Sequence, residues 1–228
     1  MLLFYLVAIF SWATVSEYSF ISTLGTFTEI TGGTVLGTSA NDNQCFNAIP
    51  LGFSFMYNNA LYSTISVATN GFIALGDSVA SSNVPISAAT GTNNIVAGLS
   101  RDIKSRDNGE LMYLLSGTAP DRIFTVQWKH YRRVPTTTAS DDLTFQIQFQ
   151  ENENKVVFVY GPFTAATAAA AAAIQVGIRG DSNTDFSNRT TTSDWSATNP
   201  GTANNATCTL SATVYPPTGL TFTFIPPV

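Results

Sequence analysis

Along most of this chain apolar and polar residues alternate with a period of two, and the 3.6-residue period of an amphipathic helix is nearly absent. The clearest run is Asp142 to Gln150. Leu143, Phe145, Ile147 and Phe149 point to one side of it, and Thr144, Gln146, Gln148 and Gln150 to the other. The turn Glu151-Asn152-Glu153-Asn154 and the apolar run from Lys155 to Tyr160 follow, which together predict a hairpin. The same reading predicts strands at 27–36, 51–57, 63–68, 72–75, 95–99, 111–115, 122–129, 174–179, 207–214 and 220–224. Asn70-Gly71, Asn108-Gly109, Gly117, Gly161-Pro162 and Pro216-Pro217 supply the turns between them. More than ten short strands with one-sided polar faces predict an all-β fold, a single antiparallel, jelly-roll-like β-sandwich over residues 17–228. Ala165–Ala173, eight alanines in nine positions, is too short for a stable isolated helix and reads as a surface connection between strands.

Composition narrows the function classes. Charged residues make up only 11% of the 228, which excludes a coiled coil, a helical bundle or a charge-rich disordered tail. A net charge of −5 argues against nucleic acid, whose binders neutralise phosphates with basic patches. Residues 1–100 contain no Lys or Arg, whereas Arg101, Lys104, Arg106, Arg122, Lys129, Arg132 and Arg133 gather within 33 residues. Such a cluster reads either as a patch for an acidic partner or as solvated strand ends, because Asp102, Asp107, Glu110 and Asp121 are interleaved with it.

Residues 1–16 form a separate segment. Met1–Val15 is apolar, too short for a comfortable membrane span, and followed by small residues. It reads as a secretory signal cleaved near Ala13 or Ser16, or as a retained apolar segment buried in the fold or against a neighbouring subunit. Either reading places the protein outside the cell with no stable membrane span. Cys45 and Cys208, 163 residues apart, read as one long-range disulfide of an oxidising compartment, or as two buried free thiols. Asn188-Arg189-Thr190 and Asn205-Ala206-Thr207 are N-glycosylation sequons.

Leu51-Gly52-Phe53-Ser54-Phe55, the turn Asn58-Asn59, and then Val67-Ala68-Thr69-Asn70-Gly71-Phe72 form a flat aromatic strand, a turn and a Val-x-x-Asn-Gly-Phe signature. This segment loosely resembles nidogen-like extracellular domains. The span from Thr28 through 122–131 and 186–195 to 220–226 is similar to a module of Bacteroidota surface proteins exported by type IX secretion. The resemblance implies an adhesin-like extracellular β-sandwich with no assigned catalytic residues. It also implies O-glycosylation at Asp77-Ser78-Val79, on Ser78.

A Ser-His-Asp triad would have to use His130, at a predicted strand end among cations, and no Gly-x-Ser-x-Gly elbow exists. Paired carboxylates for glycoside hydrolysis occur only at turns, as Asp141/Asp142, Glu151/Glu153 and Asp102/Asp107/Glu110. Asp107, Asn108 and Glu110 offer oxygen ligands for a weak calcium site but lack the remainder of a calcium loop. Trp195 reads as a sugar-stacking residue or as a plug over the end of the sandwich. These readings predict a non-catalytic structural or adhesive protein that needs no cofactor. Its expected partners are copies of itself in a homopolymeric surface fibre, and surface glycans or other surface proteins. A carbohydrate-binding module of a larger secreted protein is the alternative.

Overall fold

The computed structural model describes residues 14–76, 78–80, 85–134, 140–166 and 170–227. After a short 3₁₀ turn (Val15–Glu17) come β1 (Ser19–Leu24), β2 (Thr34–Gly37), β3 (Cys45–Tyr57), β4 (Ala60–Ala68) and β5 (Phe72–Leu75). The chain continues with β6 (Ile95–Ser100), β7 (Ile103–Ser116), β8 (Ile123–Arg133), β9 (Asp142–Gln150) and β10 (Lys155–Thr164). It ends with β11 (Ala172–Arg179), β12 (Phe186–Thr190), β13 (Asn199–Pro200), β14 (Cys208–Leu210) and β15 (Leu220–Ile225). Seven strands form one sheet in the order β1-β15-β10-β9-β8-β7-β2; the other runs β13-β12-β11-β6-β5-β4-β3, with β14 paired to β11. Every ladder between named strands is antiparallel. The predicted antiparallel β-sandwich is the observed architecture.

The core follows from the period of two. Leu143, Phe145, Ile147 and Phe149 of β9 face inward with Val126 and Trp128 of β8 and Phe158 and Tyr160 of β10. They meet Ile65, Val67, Ile73, Val96, Val176 and Ile178 of the opposite sheet. Polar atoms carried into this layer are paired across it. Trp128 Nε1 donates to the Ala68 carbonyl at 3.2 Å, and the Tyr160 hydroxyl donates to that of Gly98 at 2.9 Å. The Val-x-x-Asn-Gly-Phe signature has a structural role here. Val67 lies in the inner core, and Asn70 Oδ1 accepts from the Ile103 amide at 3.3 Å. Gly71 sits at φ 82°, where a Cβ would lie 2.0 Å from the Leu99 carbonyl oxygen.

The structure departs from the predicted elements in ways that position the surface. Of the predicted 27–36 strand only 34–36 lie in a ladder, as part of β2. Residues 25–33 instead cross the outer face of the seven-stranded sheet, where the Ile30 amide donates to Gln127 Oε1 at 3.0 Å and Gln146 Nε2 donates to the Thr28 carbonyl at 2.8 Å. β1, β12 and β13 were not predicted. The alanine run is not simply a surface connection: Ala165 and Ala166 are buried, and Ala172 and Ala173 begin β11, while 167–169 lie outside the described residues. The apolar segment 1–13 also lies outside them, but Val15 is fully buried and the Ser16 amide donates to Asp185 Oδ1 at 3.1 Å. Processing at Ala13 is therefore compatible with this fold, whereas removal of residues through Ser16 would strip a core side chain.

Candidate functional site

The outer face of the seven-stranded sheet holds a groove of about 360 Å³. Its rows come from the strand register. Gln148, Val157 and Thr223 stand side by side, as do Gln146, Val159 and Thr221, with Gln150 opposite Lys155. Thr26 and Thr28 of the crossing segment form one wall. Side-chain amides are chained across the face: Gln148 Nε2 donates to Gln146 Oε1 at 3.0 Å, and Gln146 Nε2 to Gln127 Oε1 at 2.9 Å. Gln127 is fully buried, and its own Nε2 finds no acceptor among the described residues. Amides and hydroxyls in rows present alternating donors and acceptors, the chemistry that holds a polyhydroxylated ligand.

The same rows run on to the sheet edge. β1 pairs with β15 in register, Ile21 opposite Thr223 and Thr23 opposite Thr221. β1 is the outermost strand, six residues without a charge or a proline, with Ile21 48% and Leu24 69% exposed. Natural edge strands are usually blunted by lysine, proline or a bulge. β1 carries none of these.

Several residues singled out in the sequence take other places. Cys45 and Cys208 are free thiols, so the disulfide reading gives way to the reading of two free thiols. The sheet explains this: Cys45 sits on β3 and packs with the outer cluster around Phe72, whereas Cys208 sits on β14 in the inner core. Four strand spacings, about 19 Å, separate β3 from β11, far beyond the reach of a disulfide. Burial raises the pKa of both thiols, that of Cys208 to about 12. Trp195 is only 1% exposed; its Nε1 donates to the Thr209 carbonyl at 2.8 Å and its ring meets Tyr160 edge-on at 5.4 Å. It is packed into the core and offers no face to a sugar. Asn188 is 2% exposed, and its Nδ2 donates to the carbonyls of Ala203 and Asn204, which removes it as a glycosylation acceptor. Asn205 and Ser78 are exposed; Asp77, the first residue of the Ser78 triplet, lies outside the described residues.

The calcium reading also fails on its surroundings. Asp107 and Asn108 are exposed in a bulge of β7, and Glu110 stands opposite Lys129. Asp107 and Asn108 share their cleft with Lys104, Arg106 and Arg132, which would repel a cation. Among the described residues no group of three or more His, Cys, Asp or Glu is placed to hold a metal. Three of the carboxylates considered for hydrolysis are ion-paired to Arg or Lys, and a fourth meets a histidine. Asp141 binds Arg133 at 2.6 Å, Glu151 binds Arg122 at 2.5 Å, Glu153 binds Lys155 at 2.6 Å, and Asp142 Oδ1 lies 2.8 Å from His130 Nδ1. His130 stands within β8 at a bulge with φ 52°, not at a strand end.

Sequence reasoning missed Arg179 and Gln175, which serve the other outer face. Arg179 Nη1 donates to the carbonyls of Pro85 and Ala88, both at 2.8 Å, and its Nη2 donates to Asn93 Oδ1 at 2.9 Å. Gln175 Oε1 accepts from the amides of Ile86 and Ser87. A polar residue alternating with Ile174, Val176 and Ile178 was the available signal, but it reads as solvent-facing until the covering segment is seen.

No helix of the described residues is long and apolar enough to cross a membrane. Comparison with curated proteins and with solved structures returns no match. The two-sheet antiparallel sandwich agrees with the match to a family model described as NIDO related, which spans residues 17–226, and the chain belongs to that family.

Proposed function

We propose that this chain is a non-catalytic extracellular module with a structural and adhesive role, joined through its β1 edge to a second copy of itself in a cell-surface fibre. The observation that carries the reading is the outermost strand β1, free of charge and proline, with Ile21 and Leu24 exposed. Family membership supports the extracellular, β-rich part of it. The low charge supports close packing of identical copies, because little like-charge repulsion opposes it. The pairing of Asp141, Glu151 and Glu153 with Arg or Lys supports a role without catalysis. A Bacteroidota source, type IX export and modification of Asn205 or Ser78 belong to the same proposal. So does a part for the apolar residues 1–13 in subunit contacts. The test is concentration-dependent assembly followed by sedimentation and negative-stain microscopy. Wild type is expected to form filaments or ordered oligomers, and Ile21→Lys to remain monomeric with an unchanged fold. A wild type that stays monomeric at every concentration ends the reading.

The Gln- and Thr-lined groove favours a second reading, a carbohydrate-binding module. A glycan array with wild type and Gln148→Ala separates the two. Specific binding lost in the variant favours the glycan, whereas assembly without binding favours the fibre.

A further inference from the structure

We propose that the cleft between the Ala40 loop and strands β7 and β8 binds a tetrahedral oxyanion, sulfate or phosphate, carried on a partner molecule. Lys104 and Arg132 are directly opposite one another in the β7–β8 ladder. Two like charges in that position destabilise a sheet, and Arg106 brings a third cation to the same cleft of about 330 Å³. Their present partners leave much of this charge in place. Arg132 Nη1 donates to the Arg133 carbonyl at 3.2 Å, and Arg106 Nη1 donates to the Asp141 carbonyl, both neutral acceptors. Among the described residues the acids that face the cleft are Asp107, in its lining, and Asp42, 4.0 Å from Lys104 Nζ. Three cations against two acids leave a local positive excess in a protein whose net charge is −5.

The wall is built rather than loose. Ala40 holds a left-handed backbone at φ 60°, a conformation that concentrates at functional sites when it occurs outside glycine. The loop is fixed by the Asn41 amide donating to Ser105 Oγ and by Ser105 Oγ donating to the Thr38 carbonyl, both at 2.7 Å. Two guanidinium forks and an ammonium converging from adjacent strands suit the several oxygens of a tetrahedral oxyanion better than one planar carboxylate. This inference is independent of the fibre.

Sodium sulfate and sodium phosphate, titrated at constant ionic strength against a chloride control, test the site by calorimetry and amide chemical shifts. Wild type is expected to bind one of them saturably, and Arg132→Gln and Lys104→Gln to weaken that binding at least tenfold. The thermal midpoint of Arg132→Gln is expected to hold or rise, because it removes the like charge opposite Lys104. Glucosamine 6-sulfate and glucose 6-phosphate then distinguish the source, the tighter one naming the group. No saturable binding in wild type, or equal binding in both folded variants, overturns the proposal.

Discussion

The two outer faces of this sandwich solve opposite problems. On the eight-stranded sheet Phe72, Ala74, Ile95 and Ala97 point outward and form a second apolar cluster. Val79 and Ile86, from the segment between β5 and β6, cover it. On the seven-stranded sheet the outward rows are mostly polar, with Gln146, Gln148, Gln150, Thr221 and Thr223 around Val157 and Val159, and the crossing segment 25–33 leaves a groove beside them open. An apolar face gains by leaving water at roughly 25 cal/mol per Å², so it must be covered. A face of amides and hydroxyls has no such drive and stays available to a ligand. The difference leaves the polar groove on the seven-stranded sheet uncovered while the apolar patch on the other sheet is closed.

The largest expected effect breaks the covered face. Arg179 is buried and makes three hydrogen bonds to neutral acceptors of the covering segment; burial lowers its pKa from the usual arginine value. Arg179→Ala removes the clamp and leaves several acceptors unmet, a loss of about 3 kcal/mol. For a chain of this size the thermal midpoint is expected to fall by roughly 6–12 °C. The variant should also bind a hydrophobic dye, because the Phe72 cluster is uncovered. A small shift with no dye binding would show that apolar packing alone holds the cover.

The layer shared by both sheets sets the response to alkali. Cys208 rises to about 12 from an ordinary value of 9.0, by burial, and burial also raises Tyr57 and Tyr160 well above theirs. These groups are neutral in the folded protein. Above pH 9 the unfolded chain releases the Cys208 proton while the folded chain retains it. Stability is therefore intact below pH 9 and falls as pH rises toward 12. Cys208 alone contributes a slope of about 1.4 kcal/mol per pH unit, with the tyrosines adding above their ordinary value near 10. Urea unfolding at pH 8, 9 and 10 measures this, and a flat profile would contradict the buried, neutral layer.

The cysteines separate core from outer face more directly. Unreduced protein in denaturant is expected to show two free thiols. The native chain should react quickly at one, the half-buried Cys45, and slowly at Cys208. Absence of free thiol in denaturant would restore the long-range disulfide.

How much of this was legible follows from what each signal encodes. Alternation in 142–150 reports a local backbone period, so β9 and the inward Phe145 and Phe149 were read correctly. Asn70-Gly71 was readable because a tight approach to Leu99 demands glycine locally. Pairing across the sheets was not readable. The opposition of Lys104 and Arg132, the burial of Trp195 against Tyr160 and the separation of Cys45 from Cys208 all depend on register and strand order. β1 was hidden because Ser19–Leu24 mixes Ser and Thr with apolar residues beside the apolar leader. Spacing in sequence supported a disulfide, whereas opposite faces of one sheet decided against it.

The smallest effect sharpens the comparison, because both faces use a charged tether. On the seven-stranded sheet the tether is Lys129 Nζ to Glu29 Oε1, which pins the crossing segment with side chains 26% and 41% exposed. On the eight-stranded sheet it is Arg179, buried and bound to carbonyls. Water already solvates much of the Lys129 pair, so its net contribution is that of a surface ion pair, about 0.5 kcal/mol or less. Lys129→Ala is expected to lower the thermal midpoint by roughly 1–2 °C, and salt should screen the wild-type advantage away. The Arg179 penalty should persist in the same salt, because its partners are neutral and shielded. A salt-insensitive loss of several degrees in Lys129→Ala would mean that residues 25–33 cover the sheet as tightly as the opposite segment does, and the contrast between an open and a closed face would then fail.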